Sequence, residues 1–312
     1  MLRARQEAMV DRFGRRITDL RMSLTQRCNM NCFFCHREGE ADGHGQNELE
    51  AEHVYSILEV AASLGIETVK FTGGEPLMHP DLVKIVSHAS HLMREVSLTT
   101  NGYFLEEMSD DLRRSGLDRV NVSLHSLDRN TFQRITGIDG VERVLSGIAS
   151  AVQAGLRPVK INMVVLNGIN SSEVEAMMEF AAGSGTSLRL IELIPLANGK
   201  SYWSNHDALK AIEKRLRADA VSVRSARLNQ RPLYTVPTEK GMVEVELVRS
   251  VENPAFCASC SRLRVTSDAK LKPCLMRNDN LVDIRPALSR GDREAVRRAF
   301  LEAVRLREPY WR

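Results

Sequence analysis

The sequence predicts an α/β fold in which six parallel strands form a partial, TIM-like (β/α)6 barrel, followed by a C-terminal α+β extension. Strand-like and helix-like segments alternate six times at a spacing of roughly 30–40 residues, which is typical of a parallel sheet covered by helices. Cysteines, glycines and hydroxyl side chains follow where predicted strands end, the edge that usually carries the chemistry of such folds. Six units are fewer than the eight of a closed barrel, so we expect an open one.

The predicted strands are short segments of alternating or continuous apolar residues. They cover 17–25, 67–72, 94–100, 119–124, 159–166 and 187–194. Between the strands, apolar residues recur at helical spacing, as Val54, Ile57, Leu58 and Ala61 do in the first interval. The predicted helices cover 52–64, 81–92, about 105–115, 141–152 and about 172–182. Each strand with its following helix forms one unit of the barrel.

The pattern changes after about residue 200, and we place a domain boundary at 230. Residues 1–230 form the barrel, and residues 231–312 form a region that we expect to pack on the barrel mouth. The predicted elements of this part are a helix at 206–217, short strands within 232–248, a hairpin-like stretch at 256–275, and helices at about 280–288 and 292–306.

Composition excludes several classes of protein. The 43 basic and 40 acidic residues give a net charge of +3, too balanced to favour nucleic acid or an anionic membrane as the main partner. No apolar run approaches the roughly 18 residues of a membrane span. The first 16 residues are basic but lack the apolar core of an export signal. We therefore expect a cytoplasmic location.

The cysteines carry most of the functional information, because all of them fall into two groups of three with the spacings C-x3-C-x2-C and C-x2-C-x13-C. They are Cys28, Cys32, Cys35, Cys257, Cys260 and Cys274. Three disulfides are disfavoured in a reducing compartment. Structural zinc prefers four ligands, although a Cys3His site with His36 or one shared zinc stays open. Three thiolates suit a cubane iron–sulfur cluster with one open iron, so we predict two such clusters.

Several segments resemble the radical S-adenosylmethionine (SAM) superfamily, and within it the GTP 3',8-cyclase family, also called molybdenum cofactor biosynthesis protein A. The resemblance covers about residues 10–290, and the paired cysteine groups are its most specific feature. It is carried by LRMSLTQRCNMNCFFC (20–35), KFTGGEPL (70–77), LTTNG (98–102), RVNVSLHSLD (119–128), VKINMVVLNGIN (159–170) and FCASCSRLRVTSDAKLKPCL (256–275).

The resemblance implies a radical reaction on a nucleotide. The first [4Fe-4S] cluster would bind SAM, and its reductive cleavage would give a 5'-deoxyadenosyl radical that abstracts the 3' hydrogen of GTP. The substrate radical would attack C8 of the guanine, and the second [4Fe-4S] cluster would hold that base. An external electron donor and a downstream enzyme of molybdenum cofactor synthesis are implied as partners, and a homodimer is left open.

The resemblance also assigns SAM contacts. Phe34 would place its backbone against the adenine, Gly74 would let the backbone approach SAM, Glu75 would accept from its ammonium group, and Ser123 would contact its carboxylate or ribose. Each residue has an ordinary structural explanation as well: packing for Phe34, a plain turn for Gly74 and Glu75, and a strand cap for Ser123.

Basic residues on the strands suggest where a triphosphate would bind. Arg21, Lys70 and Lys160 fall at positions expected to face the barrel interior, where an unpaired charge is costly and a polyphosphate would compensate it. Internal ion pairs or solvated strand ends are the alternatives. The resemblance makes these three residues and Thr99 contacts of GTP.

Arg262 and Arg264 share one face of a predicted strand directly after Cys260. By resemblance they contact the substrate and serve the catalytic step; without the neighbouring cysteines, a solvated basic face would be the simpler interpretation.

Three features depart from the family pattern. The chain ends in REPYWR where many members end in Gly-Gly, His125 occupies a commonly acidic position, and Ile194 occupies a position where Met is common.

Two alternative functions stay open on the sequence. One is another radical SAM enzyme with an auxiliary cluster, such as a peptide maturase. The other is a zinc-stabilised binding protein, which the balanced charge disfavours for nucleic acid.

Overall fold

The computed structural model of the protein describes residues 9–40, 48–195, 208–226 and 230–311. The six predicted barrel strands are present and run parallel in consecutive order. They are β1 (Asp19–Ser23), β2 (Thr68–Thr72), β3 (Glu95–Thr100), β4 (Arg119–Ser123), β5 (Val159–Val165) and β6 (Ser187–Glu192). The predicted parallel α/β architecture is therefore confirmed.

Helices connect these strands, with one more helix than the sequence analysis assigns. They are α1 (Ala51–Ser63), α2 (Leu82–Leu92), α3 (Leu105–Arg114), α4 (Arg129–Thr136), α5 (Val141–Gln153) and α6 (Val174–Gly183). The unassigned helix is α4, which begins after an Asp128 side chain that accepts from the Thr131 N–H and ends at Gly137 with φ of +79°. Both are ordinary helix-end signals.

The part that follows extends the sheet at both edges. Its elements are α7 (Ala208–Asp219), β7 (Ser222–Ser225), β8 (Pro232–Thr238), β9 (Gly241–Val248), α8 (Pro254–Ala258), β10 (Arg262–Val265), β11 (Lys270–Lys272), β12 (Val282–Asp283), α9 (Arg285–Ser289) and α10 (Arg293–Arg305). Strand β9 pairs in parallel with β6, and β10 pairs in parallel with β1. In the described residues the sheet has the order β12-β11-β10-β1-β2-β3-β4-β5-β6-β9-β8-β7.

The prediction of a helix at about 280–288 is wrong for the first half of that range. Val282 and Asp283 pair with β11 as a strand, and the helix begins only at Arg285. Pro286 explains that start, because proline has no N–H to donate and is well suited to the first turn of a helix.

The two faces of the barrel sheet differ in chemistry. One face buries apolar side chains under the helices, including Leu20, Phe71, Val96 and Val122, each no more than 1% exposed. Because side chains alternate along a strand, the residues between them point to the other side. That inner face carries the basic and hydroxyl residues. Within the described ranges, no helix combines the length and apolar character that a bilayer span requires.

Candidate active site

The inner face of the sheet borders a cavity of about 420 Å³. All six cysteines contribute to its lining, so the two groups, remote along the chain, share one chamber. The pairing of β10 with β1 produces this arrangement, because it brings the segment after Cys260 beside the strand that leads to Cys28. The cavity thus has a cysteine group at each of two sites and polar sheet residues between them.

The first cysteine group lies in the loop after β1 and receives backbone hydrogen bonds to sulfur. The Met30 N–H donates to Cys28 Sγ and the Arg37 N–H to Cys35 Sγ, each at 3.4 Å. Burial raises the pKa of the Cys28 thiol to about 11 and that of Cys32 to about 12. Ligation by these cysteines therefore requires loss of protons that the free thiols hold firmly.

The donor set fits iron–sulfur clusters. All six cysteines are free thiols, which rules out the disulfide interpretation for this structure. In the described part of the chain, no three or more His, Cys, Asp or Glu side chains converge as ligands of a single metal ion. A cubane binds each cysteine at a different iron, so its ligands stand further apart than those around one zinc ion. Each cysteine group offers three free thiols, the number that holds a cubane with one open iron.

Charged residues on neighbouring strands form a row across the inner face of the sheet, which is one wall of the cavity. Strand pairing aligns Arg21 with Arg264 on one side and with Lys70 on the other. The row continues through Ser97 to Arg119 on β4. Four of these five side chains are cations, so the wall has a strongly positive potential.

Lys70 lies in the middle of this row. In the described residues its ammonium group has no carboxylate partner. Burial, followed by the fields of four guanidinium groups, lowers the pKa of Lys70 well below its ordinary value. These groups are Arg119, Arg189, Arg21 and Arg262. A cation buried among other cations is costly, and an anion bound in the cavity would offset that cost.

Two carboxylates offset part of the positive charge. Glu38 accepts from Arg21 Nη2 at 2.6 Å and from Arg264 Nη1 at 2.8 Å. Burial alone would raise the pKa of Glu38, but these two arginines outweigh it and lower the pKa to about 2. Glu246, on β9, accepts from Arg189 Nη2 at 2.7 Å and from Arg231 Nη1 at 2.8 Å. Among the described residues that line the chamber, cations still outnumber carboxylates.

Comparison with known proteins decides the family. The radical SAM superfamily model matches residues 22–181, and the model described as Molybdenum Cofactor Synthesis C matches residues 186–312. A probable GTP 3',8-cyclase of Thermococcus kodakarensis is 47% identical over 97% of this chain and 100% of that protein. The chain belongs to the GTP 3',8-cyclase family. A relative of the same name from Methanothermobacter thermautotrophicus is 45% identical over 96% of this chain and 98% of its own length.

Solved structures place this GTP 3',8-cyclase family member among radical SAM folds. SuiB of Streptococcus suis, bound to its precursor peptide SuiA, matches with a TM-score of 0.64 at 15% identity over 83% of this chain and 60% of that chain. The structure described as native anSMEcpe with bound AdoMet matches with a TM-score of 0.57 at 16% identity over 85% of this chain and 77% of that chain. At these identities the likeness concerns the fold alone.

Most residues predicted from the family resemblance line the cavity, and two do not. The residues on the wall, besides the cysteines, are Phe34, Gly74, Ser123, Arg21, Lys70, Thr99, Arg262 and Arg264. Burial lowers the pKa of both Arg262 and Arg264 to about 10. Their roles as cofactor and substrate contacts remain predictions.

Glu75 is buried and is not among the residues that line the cavity, and the predicted contact of its side chain with the SAM ammonium group stays a prediction. Its carboxylate is fully buried and accepts from Thr100 Oγ1 at 2.6 Å, the Asn101 N–H at 2.7 Å and the Leu77 N–H at 3.0 Å. Burial raises the pKa of Glu75 to about 7 against the effect of these hydrogen bonds. Through these hydrogen bonds, Glu75 connects the loop after β2 to the loop after β3.

Lys160 is the second predicted residue that is not on the wall. Its Nζ donates to Glu246 at 3.3 Å, which is one of the internal ion pairs considered from the sequence. The wall at β5 consists of Asn162 and Val164, which lie nearer the carboxyl end of the strand. Lys160 thus pairs with Glu246 beside Arg189, and its direct contact with GTP stays a prediction.

The residues that depart from the family pattern also lie on the wall. His125 is buried, and its Nδ1 accepts from the Val164 N–H at 3.2 Å while its ring meets Phe34 edge-to-face at 5.0 Å. Burial lowers the pKa of His125 to about 4, so it is neutral at physiological pH. Ile194 lines the same cavity. Tyr310 and Trp311 line it as well.

Gly73 and Gly74 allow the turn after β2 to pack directly on the chain that leads to Cys28. The Gly74 N–H donates to the Thr25 carbonyl at 2.6 Å. Gly73 has φ of +150°, and a Cβ there would lie 2.4 Å from the Thr25 carbonyl oxygen. A Cβ on Gly74 would lie 2.3 Å from the Arg27 carbonyl oxygen. Only glycine fits at these two positions.

We expect Gly74→Ala to displace the first cysteine loop. The new methyl group would overlap with backbone atoms of that loop, and moving backbone costs more stability than moving a flexible side chain. The reconstituted variant should retain about four of about eight irons per chain, since each cubane holds four. Gly155→Ala is the matched control: its φ is +78° but nothing lies within 4 Å of the added Cβ. The control should keep all its iron and lose only about 1 kcal/mol of stability. Full iron in Gly74→Ala contradicts the proposed packing.

Proposed function

We propose that this chain cyclises GTP to (8S)-3',8-cyclo-7,8-dihydroguanosine 5'-triphosphate, the first step of molybdenum cofactor biosynthesis, in the chamber between its two cysteine groups. The observation that carries the assignment of substrate is the cationic row centred on Lys70. A nucleoside triphosphate supplies the negative charge that this row lacks. A neutral substrate would leave Lys70 without compensation.

The first cysteine group and the glycine turn would form the SAM side of the chamber. When bound there, the first cluster and SAM supply the 5'-deoxyadenosyl radical that takes the 3' hydrogen of GTP. Gly73 and Gly74 expose backbone to the cosubstrate, and Glu75 fixes that turn by accepting from Thr100 and from Asn101. Phe34 and Ser123 lie on the same wall and orient the adenosine and methionine parts.

The cationic row would hold the triphosphate and thereby position the ribose. Arg21 and Arg264 are directed by Glu38, which restricts the orientation of both guanidinium groups before substrate arrives. Pre-organised donors bind phosphate oxygens without the entropy cost of ordering long side chains. Arg189 on β6 and Arg231 just before β8, both held by Glu246, extend the same surface.

The second cysteine group would bind the guanine at its open iron. Arg262 follows Cys260 by two residues and lines the chamber, so it would contact the base or the nucleotide radical as C8 is attacked. Positive charge beside the base would favour the step in which the ring nitrogen next to C8 takes up an electron and a proton. One electron is needed to cleave SAM, and a second, with a proton, completes the cyclised product.

The decisive test is an anaerobic assay of the reconstituted protein with SAM, a reductant and either GTP, ATP or a peptide. GTP should stimulate formation of 5'-deoxyadenosine and give the cyclised nucleotide, identified by mass and by its acid-stable pterin derivative. ATP is the matched control, since it carries the same triphosphate but a different base. If a peptide instead of GTP stimulates formation of 5'-deoxyadenosine, the proposal is contradicted and the chain is assigned to the peptide maturases.

Partners follow from the chemistry of the proposed reaction. An external one-electron donor must reduce the clusters, and a downstream enzyme of molybdenum cofactor synthesis must take up the reactive product. We also propose that the chain forms a homodimer, for which the exposed Val221 and Val223 at the outer edge of the sheet are candidate contacts.

A further inference from the structure

Residues from both ends of the described chain converge behind the second cysteine group. Asp11 and Arg15 belong to a tight turn near the N-terminal end, and Arg307 follows α10. All three are buried: Asp11 is 5% exposed, Arg15 7% and Arg307 1%. We call these three residues the terminal clamp.

The clamp is connected by charged hydrogen bonds. Asp11 Oδ2 accepts from Arg15 Nε at 2.7 Å and from Arg307 Nη1 at 3.1 Å. Asp11 Oδ1 accepts from the backbone N–H groups of Phe13 and Arg15, each at 3.0 Å. One carboxylate thus holds two guanidinium groups, and the clamp has a net charge of +1. Buried charges of this kind are costly unless each has partners, so the arrangement needs a reason.

Both arginines donate hydrogen bonds to backbone carbonyl groups of the second cysteine group. Arg15 Nη1 donates to the Cys257 carbonyl at 3.0 Å, and Arg307 Nη2 donates to the Cys260 carbonyl at 2.9 Å. Asp11 therefore links the two carbonyls through two guanidinium groups of fixed shape. This fixes the spacing of two of the three thiols in the second group.

The clamp also has buried donors without an acceptor among the residues that the structure describes. Arg15 and Arg307 both line the cavity together with Cys257 and Cys260. Arg15 Nη2 and Arg307 Nε are buried and have no hydrogen-bond partner in the described residues. A buried guanidinium N–H without an acceptor is unfavourable.

We propose that the terminal clamp positions the second cluster and raises its reduction potential. The hydrogen bonds to the Cys257 and Cys260 carbonyls hold the ligand backbone, and the net positive charge favours the reduced, more negative cluster. Both ends of the chain therefore act on the site that would hold the guanine.

Opposite charge changes within the clamp provide the test. Arg307→Met removes a positive charge and should shift the reduction potential of the second cluster to more negative values. Asp11→Asn removes a negative charge and should shift it to more positive values. A role confined to stability would not give shifts of opposite sign. The potential is measured by EPR-monitored redox titration of the reconstituted full-length protein, using the signal that Cys257→Ala abolishes.

Two further variants keep the result interpretable. Arg307→Lys retains the charge and should keep a potential close to that of the unmodified protein. Arg305→Met removes an exposed arginine from the same end of α10, where it pairs with Glu302, and should change nothing. Selective loss of the second-cluster signal in Arg307→Met, with the first signal intact, also supports the positioning role.

The outcomes that overturn the proposal are equally defined. About eight irons per chain, with unshifted potentials or shifts of the same sign in Arg307→Met and Asp11→Asn, overturn the clamp alone. About four irons in the unmodified protein remove the second cluster, and the clamp proposal with it. If Arg307→Met does not fold, Asp11→Asn and Arg307→Lys decide the matter by the same titration.

Discussion

Replacing Cys32 with alanine is expected to abolish both SAM cleavage and formation of the cyclised nucleotide. A cubane held by three cysteines does not persist at its site with two, and SAM needs the open iron of that cluster. Iron should fall from about eight to about four per chain, because the second group lies on a different segment and keeps its ligands. The measurements are iron content, 5'-deoxyadenosine and product.

Cys257→Ala is the matched variant at the other end of the chamber. It should also lose about half of the iron, yet it should still form 5'-deoxyadenosine, because the first cysteine group and the glycine turn are untouched. Product should be absent, since the variant lacks the proposed metal contact of the guanine. Product formed by Cys257→Ala would show that the second group does not hold the substrate. Product formed by Cys32→Ala would contradict the assignment of the first group.

The periodicity of the sequence is sufficient to predict the barrel sheet. Alternating residues such as Leu20 and Phe71 pack under helices, and their neighbours Arg21 and Lys70 face the cavity, so a period of two already separates core from site. The same periodicity does not predict helix α4, because its apolar stripe is short. Only the residues that cap its two ends, Asp128 and Gly137, indicate a helix there.

The sequence does not predict which distant strands pair in the sheet. Glu246 meets Arg189 across 57 positions only because β9 pairs with β6, and no local pattern specifies that pairing. Glu38 is similar: it lies in a loop where its own φ is +55°, a conformation that a glutamate seldom adopts. The contacts with Arg21 and Arg264 hold it there, and those contacts depend on the pairing of β10 with β1.

The same limit applies to Lys160 and Glu75, whose predicted ligand contacts stay predictions. On β5 the residues that line the cavity are Asn162 and Val164, while the Lys160 side chain pairs with Glu246 of β9, a partner that no local pattern specifies. For Glu75 the motif was in the right place, and the direction of the side chain was decided by the hydroxyl and N–H groups of the loop after β3. Motif position is thus more predictable than side-chain direction.

Lys70→Met should weaken GTP binding by about 10- to 150-fold, which corresponds to about 1.5–3 kcal/mol for a lost hydrogen bond to a charged group. The variant should not be less stable than the unmodified protein, and we expect its melting temperature to rise. Methionine has nearly the same length, and its introduction removes a cation that burial and four nearby arginines disfavour. Loss of binding with a gain of stability is characteristic of a residue strained for function.

The pH dependence of binding follows from the same charge. In the free protein the pKa of Lys70 is lowered well below its ordinary value, and bound triphosphate would raise it again. Binding therefore takes up a proton, so affinity for GTP is greatest below the pKa of the free protein and falls as the pH rises above it. Calorimetry at several pH values should show this slope in the unmodified protein and its loss in Lys70→Met. Lys84→Met, an exposed lysine paired with Asp81 on α2, should change neither affinity nor slope. Unchanged affinity in Lys70→Met would mean that the triphosphate lies elsewhere in the chamber.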